Sequence, residues 1–236
     1  MESRLSDGQL RNLTGFLGYG NPSGRFWFMG IEEVGRGSPR ELRIRADHFA
    51  PVEDQARART LVNPGVNLRT CDSPVWAPMC RIISRINGDP GWRSLGRAKD
   101  YLESQLGRLD GETFLTGVLP LPKRSGNDWP YDHLWTTKDE YVESVLEGRI
   151  ELLRELHEES NPTYTFCYGK AYWPLYKRVC PDLKFETLIV EDVEIGVRDD
   201  SVVVLTRFFD PSYQGFTIDF IDTLISAVEE RVGVLV

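Results

Sequence analysis

No apolar run in the 236 residues approaches the roughly 18 residues that a membrane-spanning helix requires. The opening stretch, MESRLSDGQLRNL, also lacks the apolar core of a secretory signal, so a cytoplasmic protein with no membrane partner is expected. Cysteine is scarce. Cys71, Cys80, Cys167 and Cys180 include no CxxC pair, which argues against a structural zinc or iron–sulfur site and for free or buried thiols. Disulfides are not expected in a reducing compartment. The glycines at 15, 18, 20 and 24 precede the first strand-like run instead of following it, so they do not make a phosphate-binding fingerprint. No motif implies a cofactor or a resident metal. Positive charge is in short supply too: a net charge of −8 excludes a general binder of polyanions.

What remains is the composition of an ordinary globular chain, 41% hydrophobic and 27% charged, enough for one sizeable core. A single α/β domain over 1–236 is expected. Charge is uneven along it. Between Arg36 and Arg69, seven arginines (36, 40, 43, 45, 57, 59 and 69) face four acids (Glu41, Asp47, Glu53 and Asp54). The helix-like stretch from Lys138 to Glu159 reverses this, with eight acids against three basic residues. The segment of about 34–70 has little periodicity and reads as a long Arg-rich flap, a kind of insert that tends to be functional. It equally fits a solvated loop.

Four short runs are apolar on both faces: Arg25–Gly30, Thr113–Leu119, Thr163–Gly169 and Ser201–Thr206. Such runs suit strands of a parallel sheet covered on both sides. Helical spacing fills the gaps over 74–86, 98–106, 138–160 (with Thr137 as N-cap) and 218–232, while 185–197 looks like a hairpin or edge strand. Strand–helix alternation implies a three-layer α/β/α fold with a mainly parallel, four-stranded central sheet.

Ligands of open parallel sheets bind outside the carboxyl ends of the strands. The candidate site is therefore assembled from the segments after each run: Gly30, Ile31, Glu32 and Glu33; Lys123, Arg124 and Trp129; Lys170; and Asp210, Ser212 and Tyr213. Aromatic faces beside cationic side chains suit stacking on a base and contact with its phosphate. A nucleic acid or nucleotide is thus the expected partner.

The residues Phe28-Met-Gly-Ile-Glu-Glu33 after the first run, and Phe209-Asp-Pro-Ser-Tyr213 after the last, resemble the two motifs of the uracil-DNA glycosylase superfamily. Phe114–Leu119 and Phe166–Gly169 are similar to that family's inner strands, and the likeness runs from Phe26 onward as an order of elements. It implies a uracil-DNA-glycosylase-like fold and hydrolysis of the N-glycosidic bond of a damaged or modified base in DNA, with Glu32 and Asp210 in the catalytic places. Gly30, Ile31, Glu33, Lys123, Arg124, Trp129, Lys170, Ser212 and Tyr213 would be on the substrate side. The chain departs from the family in placing Glu32 where an Asn or Asp is usual, Glu33 where a proline is usual and Asp210 where a histidine is usual. A carboxylate cannot stabilise negative charge on a departing base unless protonated.

The residues themselves leave alternatives open. Glu32 and Glu33 fit equally as caps or partners of flap arginines, Asp210 before Pro-Ser as an Asx turn, and Lys123-Arg124 as a solvated pair. Three functions are compatible: a glycosylase-like hydrolase, an inactive nucleotide-binding module of the same fold, or a hydrolase with a divalent metal on Glu32, Glu33 and Asp210.

Overall fold

The computed structural model of the chain describes residues 5–34, 37–71, 73–123, 129, 131–188, 190, 192–210 and 215–233. The first half of the chain comprises α1 (Asp7–Thr14), β1 (Gly18–Gly20), β2 (Phe26–Val34), α2 (Pro39–His48), β3 (Val52–Glu53), α3 (Gln55–Val62), α4 (Trp76–Ile86) and α5 (Leu95–Ser104). Next come β4 (Thr113–Lys123), α6 (Lys138–Ser160), β5 (Tyr164–Tyr168), a 3₁₀ turn (Lys170–Tyr172) and α7 (Trp173–Val179). Strands β6 (Phe185–Thr187), β7 (Val193–Arg198) and β8 (Ser201–Thr206) and helix α8 (Ile218–Val232) complete it. Among the described residues no helix is long and apolar enough to cross a membrane.

The chain is α/β, but its sheet is not the four-stranded, mainly parallel one expected. It has eight strands and is mixed, in the order β3-β1-β4-β2-β5-β8-β7-β6. The four apolar runs lie side by side as its central block, β4-β2-β5-β8, and every pairing within that block is parallel. The additional strands flank it: β1 runs antiparallel to β4, and β7 and β6 form the antiparallel hairpin at the other side. Strands of two or three residues, such as Gly18-Tyr-Gly20, are too short to show a period of two, which is why the sequence conceals them.

Both faces of the block are apolar because alternate residues point opposite ways. Phe26, Phe28, Tyr164, Phe166, Val202 and Val204 meet α4, α5 and α8 on one side. Trp27, Met29, Phe114, Cys167, Val203 and Leu205 meet α6 and α7 on the other. Phe26 stacks on Tyr164 at 5.4 Å and Phe28 on Phe166 at 5.6 Å. Each fully buried phenyl ring contributes about 1.5–3 kcal/mol. A third cluster, built from Leu13, Leu42, Leu119, Leu121, Tyr131 and Tyr141, packs α1 and α2 over the carboxyl end of β4. The Arg-rich segment, irregular to a reading of periodicity, contains two helices. Ser38 caps α2 by accepting from the Glu41 amide, and Asp54 caps α3 by accepting from the amides of Ala56 and Arg57.

His157 on α6 is a core group. Its Nε2 lies 2.8 Å from Thr165 Oγ1, and its ring meets Trp27 edge-on at 5.2 Å. Burial, helped by Arg198, pushes its pKa from 6.5 down to about 4. Between those values the unfolded chain takes up a proton that the folded chain refuses. The contribution of the neutral imidazole is therefore complete above 6.5 and is lost as pH falls towards 4. Urea unfolding should show roughly 2–3 kcal/mol less stability at pH 4.5 than at pH 7 from this residue. His157→Gln is expected to remove that part of the pH dependence; parallel curves for the two proteins would show that the imidazole is charged in the fold.

Candidate functional site

The carboxyl ends of β2, β4 and β5 open onto a cleft of about 70 Å³. That is room for a few waters. Its walls include Phe16, Tyr19, Trp76, Tyr168 and Phe208, and its polar lining includes Glu32, Glu33, Gln55, Ser73, Thr116 and Arg149. The glycine in Gly30-Ile-Glu-Glu33 has a steric reason. A Cβ at position 30 would stand 2.5 Å from the Tyr168 hydroxyl oxygen and 2.7 Å from its ring. Gly30 thus lets Tyr168 fold over β2, where it stacks on Phe209 at 4.8 Å. Past Gly30 the pairing of β2 with β4 becomes irregular between Glu32 and Val34. Glu32, still paired with Leu119, is the last residue in regular register before the break, and both Glu32 and Glu33 line the cleft.

Each carboxylate is held by cations. Glu32 is met by Lys123 Nζ at 2.9 Å and Lys138 Nζ at 3.7 Å. Burial pushes the Lys123 ammonium below its ordinary range, against the pull of Glu32. Glu33 accepts two hydrogen bonds from Arg45, at 2.7 and 3.0 Å, and one from the Tyr19 hydroxyl at 2.6 Å. Arg45 also donates to Glu41 at 2.9 Å, an i,i+4 pair on α2, and to Tyr19 at 2.9 Å. Burial by itself would depress this guanidinium, but Glu33, Tyr19 and Glu41 together carry it well above its usual range. Burial also raises the Tyr19 phenol, which stays a neutral donor to Glu33.

Arg149 reaches the cleft from α6. Among the described residues its hydrogen bonds go to three main-chain carbonyls, of Phe16, Gly117 and Val118, at 3.0, 2.8 and 3.2 Å. Burial lowers its pKa from the ordinary guanidinium range to about 10, which leaves it a cation at neutral pH.

The structure brings together part of the set chosen from sequence. Glu32 and Glu33 line the cleft, Gly30 and Ile31 lead into it, and Lys123 reaches Glu32 from behind. Asp210 follows β8 on the same edge but is not part of the cleft wall. Trp129 donates to the Trp135 carbonyl at 3.0 Å and packs on Tyr131 and Tyr141. Lys170 pairs with Asp192 and lies 5.9 Å from the Trp173 ring centre. Arg124, Ser212 and Tyr213 fall outside the described residues. Among the described residues no three His, Cys, Asp or Glu side chains are grouped so as to hold a metal ion. Sequence reasoning missed Gln55, Ser73, Tyr19 and Arg149. Gln55 looks like an ordinary first-turn helix residue, and Arg149 like one charge among many on α6. Their only signal is the tertiary cleft. No family model and no curated protein matches the chain.

Arg45 joins the Arg-rich segment to β2 through a buried ion pair, so its loss should register as stability. Removing one partner of a buried pair costs about 3–5 kcal/mol, and the half-exposed side of Glu33 places this case near the lower figure. Arg45→Ala is expected to lower unfolding free energy by about 3 kcal/mol in urea titrations. A loss below about 1 kcal/mol, the scale of a surface pair, would assign the network no structural role.

Proposed function

We propose that the cleft receives a single nucleobase, and that the protein is a uracil-DNA-glycosylase-like hydrolase acting on the N-glycosidic bond of a damaged or modified base in DNA. The observation that carries the reading is the position of Glu32. It lies in an aromatic-walled cleft at the carboxyl edge of a parallel block of strands. That edge is where open α/β sheets bind ligands. The order of elements supports it as well, since Gly30-Ile-Glu-Glu33 follows one central strand and Phe209-Asp210 follows the last.

In this reading the aromatic walls hold the base flat, and the Glu32 carboxylate orients a water towards C1′ of the sugar. The C1′–N bond breaks with its electron pair leaving on the base, the water oxygen bonds to C1′, and the water proton passes to Glu32. Lys123 and Lys138 fix the carboxylate in place. The buried Arg149 cation offers electrostatic stabilisation to the departing base, a task that Asp210 cannot perform as an anion. A basic outer surface is not needed to hold a strand if the affinity comes from the flipped base, although unstacking that base has a cost of its own.

One observation favours a second reading, a binding module without turnover: both lysines already engage Glu32, which competes with a water for its lone pairs. Single-turnover release from single- and double-stranded DNA carrying uracil, hypoxanthine or xanthine separates the two. Glu32→Gln should retain binding and lower release by about 100-fold or more, the usual scale of a general base. Release should persist with a chelator; loss of release on chelation would favour a metal-dependent hydrolase. Binding without release would identify the binding module, and the absence of both would reject the cleft as a base site.

A further inference from the structure

An open groove of about 840 Å³ runs between the edge strand β6 and helix α8, and it shares no lining residue with the cleft. Glu186 and Leu188 line it from the strand side, and Asp219, Asp222, Ser226 and Glu230 line it from the helix. Spacings of three and four residues put the helix group on one stripe of α8. Ser226 and its neighbour Ala227 are small, which leaves room along the middle of that stripe. Leu188 and Val190 pack against the core cluster that holds Ile221 and Leu224, and so close the floor.

The strand side is open in its main chain. β6 ends the sheet and is paired on one side only, antiparallel to β7. The Leu188 N–H donates to the Val193 carbonyl at 3.0 Å, and bonded positions alternate along an antiparallel ladder. Glu186 is therefore the next bonded position, and the N–H and C=O groups of Phe185 and Thr187 point away from β7. Outside the ladder neither residue makes a backbone hydrogen bond among the described residues. The groove is also negative. Arg231 pairs with Glu186 at 2.8 Å, Arg85 with Asp222 at 2.9 Å and Arg93 with Asp219 at 3.0 Å. Glu230 has no ion pair among the described residues, and with Glu229 five carboxylates meet three guanidinium groups.

We propose that this groove docks an extended, basic segment of a partner protein, which adds to β6 as an antiparallel strand with its lysines or arginines turned towards α8. The outward groups of Phe185 and Thr187 supply the main-chain bonds, as in other strand additions to a sheet edge. Residues opposite one another on neighbouring strands share a face. The partner residue opposite Glu186 therefore points to the α8 side, where Glu186 and Glu230 suit a cation. The residues on either side of it bond β6 and turn to the face of Phe185, which suits β-branched side chains. A second copy of this chain fits poorly, because antiparallel pairing of two β6 strands centred on Glu186 would set that carboxylate against itself.

The test is fluorescence anisotropy of the full chain with labelled acetyl-Val-Lys-Val-Lys-Val-Lys-Val-amide. The counterpart with glutamate in place of lysine should bind at least about tenfold more weakly. Methylating the valine amides, which face β6 in this register, should weaken binding by about tenfold or more, the effect of two lost bonds. Methylating the lysine amides, which face away, should change it by less than about twofold. Thr187→Pro removes one outward donor without touching the β7 ladder, so it should weaken the peptide about tenfold at unchanged Tm. Glu230→Lys should weaken it at least about threefold at low salt, and the loss should shrink as salt is raised. Equal binding of the glutamate peptide overturns the basic partner, and valine-amide methylation without effect overturns strand addition. A dimer of the wild-type chain in sedimentation that Thr187→Pro dissolves would assign the edge to a second copy instead. No binding of the lysine peptide overturns the docking groove.

Discussion

Arg45 has to be buried for the cleft to exist. Its guanidinium sits between Glu33, which belongs to the end of β2, and Glu41, one turn before it on α2, with the Tyr19 hydroxyl closing the group. Removing three charges from water is unfavourable unless each finds its partners, and here the planar fork of the arginine meets Glu33 through both terminal nitrogens. The consequence is geometric. By fixing α2 against the strand end, the group also fixes the next two elements of the chain: β3, paired in parallel with β1, and α3, whose first residue is Gln55. A segment rich in arginine is thereby built into the wall of the cleft.

The same edge of the sheet concentrates features that stability alone would not favour. Glu32 is drawn away from water between two lysines, Arg149 is a buried cation held by backbone carbonyls, and the Gln55 amide has no partner among the described residues. The amino half of the sheet is different in kind. There His157 is paired with Thr165, and the aromatic stacking of Phe26 on Tyr164 continues into Phe28 on Phe166. Proteins tend to accept unfavourable burial where a ligand will complete it, and to avoid it elsewhere. The gathering of buried charge at the carboxyl end of β2 is the strongest reason to place the candidate site there.

Much of the core was legible in the sequence, because it depends on local patterning. Phe26-Trp-Phe-Met29 is apolar at every position, which fits a strand covered on both faces, and the stripe from Val142 to Leu156 fits one long helix starting at Thr137. The outer strands were not legible as a sheet of eight, since Gly18-Tyr-Gly20 and Val52-Glu53 are shorter than any pattern they could display. Helices α2 and α3 were hidden for another reason. Their buried positions include Glu41, Arg45 and Gln55, so a hydrophobic periodicity is missing where ion pairs and a polar wall take its place.

For the site, residue order along the chain placed Glu32 and Glu33 at the carboxyl edge, because strand direction and the position of Gly30 are local properties that parallel pairing then lines up. It also placed Trp129 and Lys170 there, and these side chains are engaged elsewhere, on Tyr141 and on Asp192. Which polar groups actually share a cavity is a matter of long-range contact. Gln55 and Arg149 are 94 positions apart in the numbering and meet only because α3 and α6 close on the same strand ends. By itself the sequence determined the α/β alternation, the central strands and the acidic pair at the end of β2, all of which come from side-chain period and chain direction. Tertiary structure alone decided that Arg45 would be buried while Arg40, Arg57 and Arg69 stay exposed, and that an amide would be left open beside the acids, because burial and pairing depend on what the rest of the fold brings alongside.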